Sequence, residues 1–242
     1  MTVLLAGGGE TEALRPLVNR FLDRVVARAA GHRPRVALIV AATTPKPVVI
    51  EMERLLGGRA EIVALLAELD ASDTGTVVSG FDGGELLNAD GVLITDGHVT
   101  GLLAALEHRA GDVRRLVHDG VPFFGIGAGA AIAADRALAG GHEIGGVAVA
   151  PVLTTEPDAE VTFEPGLGLV DLAIVPHAAS HGRIGLAVAA IEAGLIDRAL
   201  AIDTDTAIEV GEQGLDLIGA GSVWQLTGTD SGVVVSTIRH TA

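Results

Sequence analysis

The chain has 242 residues, 49% of them apolar and 19% charged, which is enough apolar surface to offset the entropy of ordering a backbone and excludes a disordered chain. A net charge of −15, with 31 acidic against 16 basic residues, only 2% aromatics and no basic cluster, excludes nucleic acid as an expected partner. There is no cysteine, so disulfides, thiolate metal sites and a cysteine nucleophile are removed, and any metal must be held by histidine and carboxylate.

The first ten residues carry no basic segment before their short apolar run, and no later apolar stretch approaches the ~20 residues of a bilayer span, so the expected location is cytoplasmic with no membrane contact. Residues 3–6 read as a strand that ends in Gly7, Gly8 and Gly9. Residues 11–30 then place Leu14, Leu17, Val18, Phe21 and Val25 at helical spacing. The same strand-then-helix unit recurs at 35–42 with 47–56, and at 91–95 with 99–108, followed by another helix at 112–118. Residues 121–126 form a fourth strand, which runs into a glycine- and alanine-rich turn and a helix reaching about residue 134.

Beyond it come a glycine-rich stretch at 138–152, an acidic stretch at 154–166 that reads as a solvated turn or mobile loop, and a strand at 169–175. A helix at 184–193 and short strands at 199–202, 207–210 and 233–238 complete the chain. Continuous Val, Ile and Leu runs suit strands covered on both faces. The expected fold is therefore one α/β domain spanning 1–242: a doubly wound, mostly parallel sheet with helices on both faces and an elbow-like turn at residues 125–130.

Two glycine turns lie at the carboxyl edge of that sheet, where open α/β folds bind ligands. Gly7-Gly8-Gly9-Glu10 offers backbone N–H groups to an anion, but its spacing does not match a dinucleotide loop, so no nucleotide cofactor is expected. Residues 125–130, GIGAGA, have the shape of a G-x-S-x-G nucleophile elbow with Gly127 at the nucleophile position. A glycine there has no hydroxyl to activate.

Three runs, GIGAGAAIAADRALAGG from Gly125, GLGLVDLAIVPHAASHGRIGLAVAAI from Gly166 and IDTDTAIEV from Ile202, taken with LLAGGGE and LITDGHVTGLL, resemble the cyanophycinase and peptidase E (aspartyl dipeptidase) family across nearly the whole chain. The resemblance implies a glutamine-amidotransferase-like fold and a serine hydrolase, with Gly127 standing where the family has its serine. It further implies that His177 is the base and that Glu143, or Asp135, is the acid orienting it. Gly8, Gly9, Gly97, Gly127 and Ala128 would form the oxyanion and substrate region, and Arg183 would hold a substrate carboxylate.

His98 and His181 stand where that family has a polar residue and an arginine, so the resemblance gathers His98, His177 and His181 beside the vacated nucleophile position. Three imidazoles around a divalent cation, zinc being the ion the donor set suits best, would activate water in place of the serine. Glu10 and Asp96 are then candidates for general base or for orienting a ligand histidine. His32, His108, His118, His142 and His240 read as solvated, and Asp203, Asp205 and Thr206 as a structural turn.

The leading expectation is a metal-assisted hydrolase, or related cyclase or lyase, acting on a small amide or peptide-like metabolite. The second is an inactive homologue that binds a peptide-like ligand or partner. The third is a serine-type peptidase with a displaced nucleophile, Ser180 or Thr95. Self-association into a homodimer is left open.

Overall fold

The computed structural model describes residues 1–153, 159–211 and 214–238. The first half runs β1 (Val3–Ala6), α1 (Arg15–Ala29), β2 (Arg35–Ala42), α2 (Pro45–Leu56), β3 (Glu61–Leu69), β4 (Val77–Ser79), a 3-10 turn (Gly83–Asn88), β5 (Gly91–Ile94), α3 (Val99–Leu106), α4 (Ala110–His118), β6 (Phe123–Ile126) and the one-turn α5 (Ala128–Ala131). In the second half come β7 (Arg136–Gly140), β8 (Glu143–Ile144), β9 (Val147–Ala148), β10 (Thr162–Pro165), β11 (Ala173–Val175), α6 (Ile184–Glu192), β12 (Arg198–Ile202), β13 (Thr206–Gly211), β14 (Gly214–Gly219), β15 (Val223–Thr229) and β16 (Gly232–Ile238).

The larger sheet has the order β14-β13-β1-β6-β5-β2-β3-β4. Its middle strands β1, β6, β5, β2 and β3 are parallel, while β4 at one edge and the pair β13 and β14 at the other run antiparallel. Helix α1 buries Leu17, Val18, Phe21, Leu22 and Val25 from one stripe, and it joins α2 on one face of the sheet. It begins four residues later than the apolar spacing suggests, because residues 11–14 close a separate turn and Pro16 suits only a first helical turn.

The opposite face is shared by α3, α4 and a second sheet, order β11-β12-β15-β16, which the sequence reading folded into one sheet. Ile174, Leu200, Ile202 and Val223 of this smaller sheet belong to the same apolar cluster as Leu5, Ile39, Ile94 and Phe123 of the larger one. Helix α6 covers the far side of the smaller sheet, burying Leu186, Ala187 and Ala190 against Val175, Ala199 and Leu226.

Strand β3, absent from the sequence reading, is EIVALLAEL, rich in helix-forming Ala, Leu and Glu; eight consecutive pairings with β2 override that preference. Part of the acidic stretch is also a strand, since Thr162–Pro165 pairs with Arg136–Gly140. Residues 154–158 and His240 lie outside the described residues. Among the described residues no helix is long and apolar enough to cross a membrane.

Candidate functional site

The carboxyl ends of β1, β5 and β6 converge on one point. Gly127 follows β6 with φ 53° and ψ −115°, a left-handed φ that side chains rarely adopt, and its carbonyl accepts N–H bonds from Ala130 (2.9 Å) and Ala131 (3.0 Å) as α5 begins. Its own N–H is tied to Ala6 of β1 (3.0 Å). This is the strand-to-helix geometry of a nucleophile elbow, which glycine adopts without the strain that a side chain would bring.

The space above Gly127 is filled from the neighbouring strand. Parallel pairing of β5 with β6 sets Ile94 opposite Gly125, so two residues further on Asp96 comes opposite Gly127. A Cβ added to Gly127 would overlap the Asp96 carboxylate, carbon and both oxygens alike. Oδ1 of Asp96 accepts the Ala128 N–H at 2.8 Å and the Gly97 N–H at 2.9 Å, and Oδ2 lies 2.9 Å from Nε2 of His177.

Crowding by the surrounding protein pushes the Asp96 carboxyl up, but the hydrogen bond and charge of His177 and the two backbone donors outweigh it and hold the pKa below the ordinary aspartate value. The carboxylate is ionised at neutral pH and, with 43% of the side chain exposed, it remains in contact with water. An ionised carboxylate can only accept, so the proton of this bond sits on Nε2 of His177.

His177 is set by the first glycine loop. Its N–H binds the carbonyl of Gly7 (2.9 Å), and its ring lies so close to Gly8 that a Cβ there would collide with it. Gly8 has φ 93°, and His177 itself has φ 54°, a left-handed backbone rare outside glycine and a common sign of a constrained site. The loop after His177 is pinned by Asp203, which accepts Ala179 N–H (3.1 Å) through one oxygen and Ser222 N–H (3.0 Å) through the other. Thr206 likewise accepts Gly221 N–H (2.8 Å), so these residues do form the structural turn that the sequence suggests.

The proposed trio of metal ligands does not converge. His177 and His181 stack face to face, centroids 4.5 Å apart and planes 20° apart, so their in-plane lone pairs run alongside each other instead of meeting at the ~2.0–2.1 Å that zinc requires. Nε2 of His177 is engaged by Asp96, and His98 caps the start of α3 with its carbonyl accepting Leu102 N–H (2.9 Å). Among the described residues no three His, Cys, Asp or Glu side chains come together as a metal site. The donor set does not fit a zinc ion, and no chemistry is derived through one.

Other expected residues are also elsewhere. The Glu143 carboxylate lies 3.7 Å from Nε2 of His142 in the β8–β9 hairpin, and Asp135 lines an apolar cavity of about 500 Å³ between the two sheets, so neither accompanies His177. His142 is largely buried beside Glu143 and not solvated, with 13% of its side chain exposed. Glu10 is exposed, and its carbonyl holds the turn leading to α1. Arg183, at the start of α6, is 6% exposed and therefore not displayed on the open rim. Ser180 Oγ turns back to the carbonyl of His177 (3.4 Å), and Thr95 is buried with its hydroxyl unpartnered among the described residues.

A mostly parallel sheet whose carboxyl edge carries a strand-to-helix turn of elbow geometry, with a histidine over it, is an α/β fold with its candidate site at the strand ends. Residues 3–218 match the sequence profile of peptidase family S51, and the chain belongs to that family. No curated protein sequence matches it. Among solved structures, a peptidase from an acI-B1 Actinobacterium is similar over 99% of this chain and 96% of its own, with TM-score 0.60 and 14% identity. A putative peptidase E from Listeria monocytogenes EGD-e is similar over 91% of this chain and 98% of its own, with TM-score 0.55 and 14% identity. The family is that of peptidase-like hydrolases, and the two structures share the fold.

Proposed function

We propose that this chain is an S51 member in which seryl acyl transfer is closed off and the cleft is retained to bind a small amide or peptide-like ligand. The observation that carries this reading is the Asp96 carboxylate standing over Gly127. In the family's chemistry three parts act together: a serine hydroxyl, a histidine nitrogen free to take its proton, and backbone N–H groups open to the developing oxyanion. Here the hydroxyl is missing, Nε2 of His177 already carries a proton held by Asp96, and the Ala128 N–H is taken by a carboxylate oxygen. One side chain thus disables what the missing serine leaves behind.

A second reading has its own support. Asp96 is ionised, wet and hydrogen-bonded to an imidazole, as a group that draws a proton from water would be, so the pair is the natural centre for a serine-independent hydrolysis. A low carboxylate pKa makes it a weak base, which is why ligand binding ranks first.

The test is a panel of aspartyl and other small dipeptides, followed by calorimetry for binding and mass spectrometry for products, alongside a serine-directed phosphonylating reagent. Binding without turnover, with no phosphonyl mass gain anywhere on the chain, is the expected result. Turnover abolished by Asp96→Asn would favour the second reading. A phosphonylated Ser180 or Thr95 in the parent chain, the mark of a displaced nucleophile, would overturn both.

A further inference from the structure

The smaller sheet ends in an unusual edge. β16 is its outer strand and pairs with β15 along seven successive residues without a bulge, and among the described residues no strand pairs with its other side. Natural edges of this length are usually guarded by lysine, proline, a bulge or a covering helix. Its sequence, GVVVSTI, has none of these, and Val234 and Val235 are 57% and 43% exposed. The long edge of the other sheet is guarded: Asp216 on β14 receives Arg20 from α1.

The helix beside this edge is also uncharged along most of its length. α6 reads IGLAVAAI before its final glutamate, apolar all round, whereas a helix on a solvent-facing surface normally shows one polar face. Ile184 and Val188 are only partly buried, and Val233 of β16 packs into the same cluster. Alternation along β16 puts Val233 and Val235 on the α6 side, since Val235 pairs with buried Leu226 and Val233 with Gly228, which lies against Ile191. Residues 184–191, β15 and β16 carry no Asp, Glu, Lys or Arg, in a chain where such residues make up 19%.

We propose that this surface joins a second copy of the chain, β16 pairing antiparallel with its counterpart across a twofold axis while the two α6 helices flank the seam. The occupant is argued from charge. Two copies at −15 each repel over most of their surfaces, and an uncharged face is where they can meet; a twofold axis sets that face against itself. A cationic partner would instead be drawn to the acidic surfaces. Strand pairing alone is too small for a stable interface, and the exposed Val234 and Val235 with the half-buried Ile184 and Val188 add apolar surface beside it.

The assembly is measured by sedimentation of the full chain. It should run at twice the 24.5 kDa chain mass. Association should tighten several-fold between about 0.05 M and about 0.5 M salt, because salt shortens the range of like-charge repulsion. Val235→Lys should weaken the dimer by about tenfold or more, by setting like charges across the axis. Since the chain has no cysteine, the single variants Val233→Cys, Val234→Cys, Val235→Cys and Ser236→Cys, mild enough to fold, map the seam directly: at least one should form a disulfide-linked dimer under oxidation. A monomer at high micromolar concentration in high salt overturns the proposal. So does a dimer that survives Val235→Lys while no cysteine variant cross-links.

Discussion

Two carboxylates in this protein show how differently the same chemical group can be used. Glu209, in the middle of β13, has a side chain 5% exposed and is clamped by Nε of Arg20 (2.5 Å) and Nε of Arg24 (2.7 Å) from α1. Asp96, just past the end of β5, is 43% exposed and holds a histidine and two backbone N–H groups. The first is paired with two permanent cations and ties a helix to the sheet. The second is paired with a histidine and the backbone N–H groups of the elbow, in a place where a neighbouring residue has no side chain. The difference teaches that a carboxylate is functional by what it displaces as much as by what it binds.

Gly127→Ser tests the displacement and should have the largest effect. Adding a side chain at φ 53° costs about 1–3 kcal/mol of backbone strain, and overlap with Asp96 adds a comparable repacking cost, so a loss of about 3 kcal/mol in denaturant unfolding is expected. Asp96→Gly in the same chain should recover about half of it, the strain remaining, as a double-mutant cycle would show. Only the double variant should react with a phosphonylating reagent, because only there are Nε2 of His177 and the Ala128 N–H released. If Gly127→Ser alone is as stable as the parent, Asp96 does not fill that space.

Much of the fold was legible because strand–glycine–helix units with continuous Val, Ile and Leu runs can hardly be read otherwise, as at Val3–Ala6 with Gly7 to Gly9. The division into two sheets was not, because most of the strands read as strands but their sheet is set by pairings between distant segments, such as β12 with β15, which no single run displays. At the site, the motifs carry Gly127 and His177 to one sheet edge, while the partnership of Asp96 with Gly127 depends on the register of β5 against β6, which no single run of residues displays. A usable signal existed: the matched turns TDG and GIG follow adjacent strands, one gaining a side chain where the other has none. The resemblance gathers the three histidines in one cleft, and that says nothing of where imidazole lone pairs point.

Glu209→Gln should have the next largest effect. A buried pair broken on one side costs about 3–5 kcal/mol, but Arg20 and Arg24 are 38% and 45% exposed and can turn to water, which reduces the expected loss to about 2 kcal/mol. Ligand binding at the elbow should be unchanged. A shift in binding without a loss of stability would erase the contrast between the two carboxylates.

Asp96→Asn should have the smallest effect on stability and the most informative pH dependence. The amide keeps an oxygen for the Ala128 N–H, and the site is open to water, so the loss at neutral pH should be about 1 kcal/mol or less. The sign follows from the direction of the Asp96 shift. Its folded pKa lies below the ordinary 3.8, so its contribution is fully present above that value and is lost as pH falls through the lower folded value. Parent and variant should therefore differ by a constant amount from neutral pH down to about pH 4 and converge below it. Glu209→Gln serves as the reference, since its clamp shares no group with Asp96. A gap between parent and Asp96→Asn that stays constant below pH 3 would mean that the carboxylate's charge contributes nothing to holding His177, and that shape alone keeps the elbow closed.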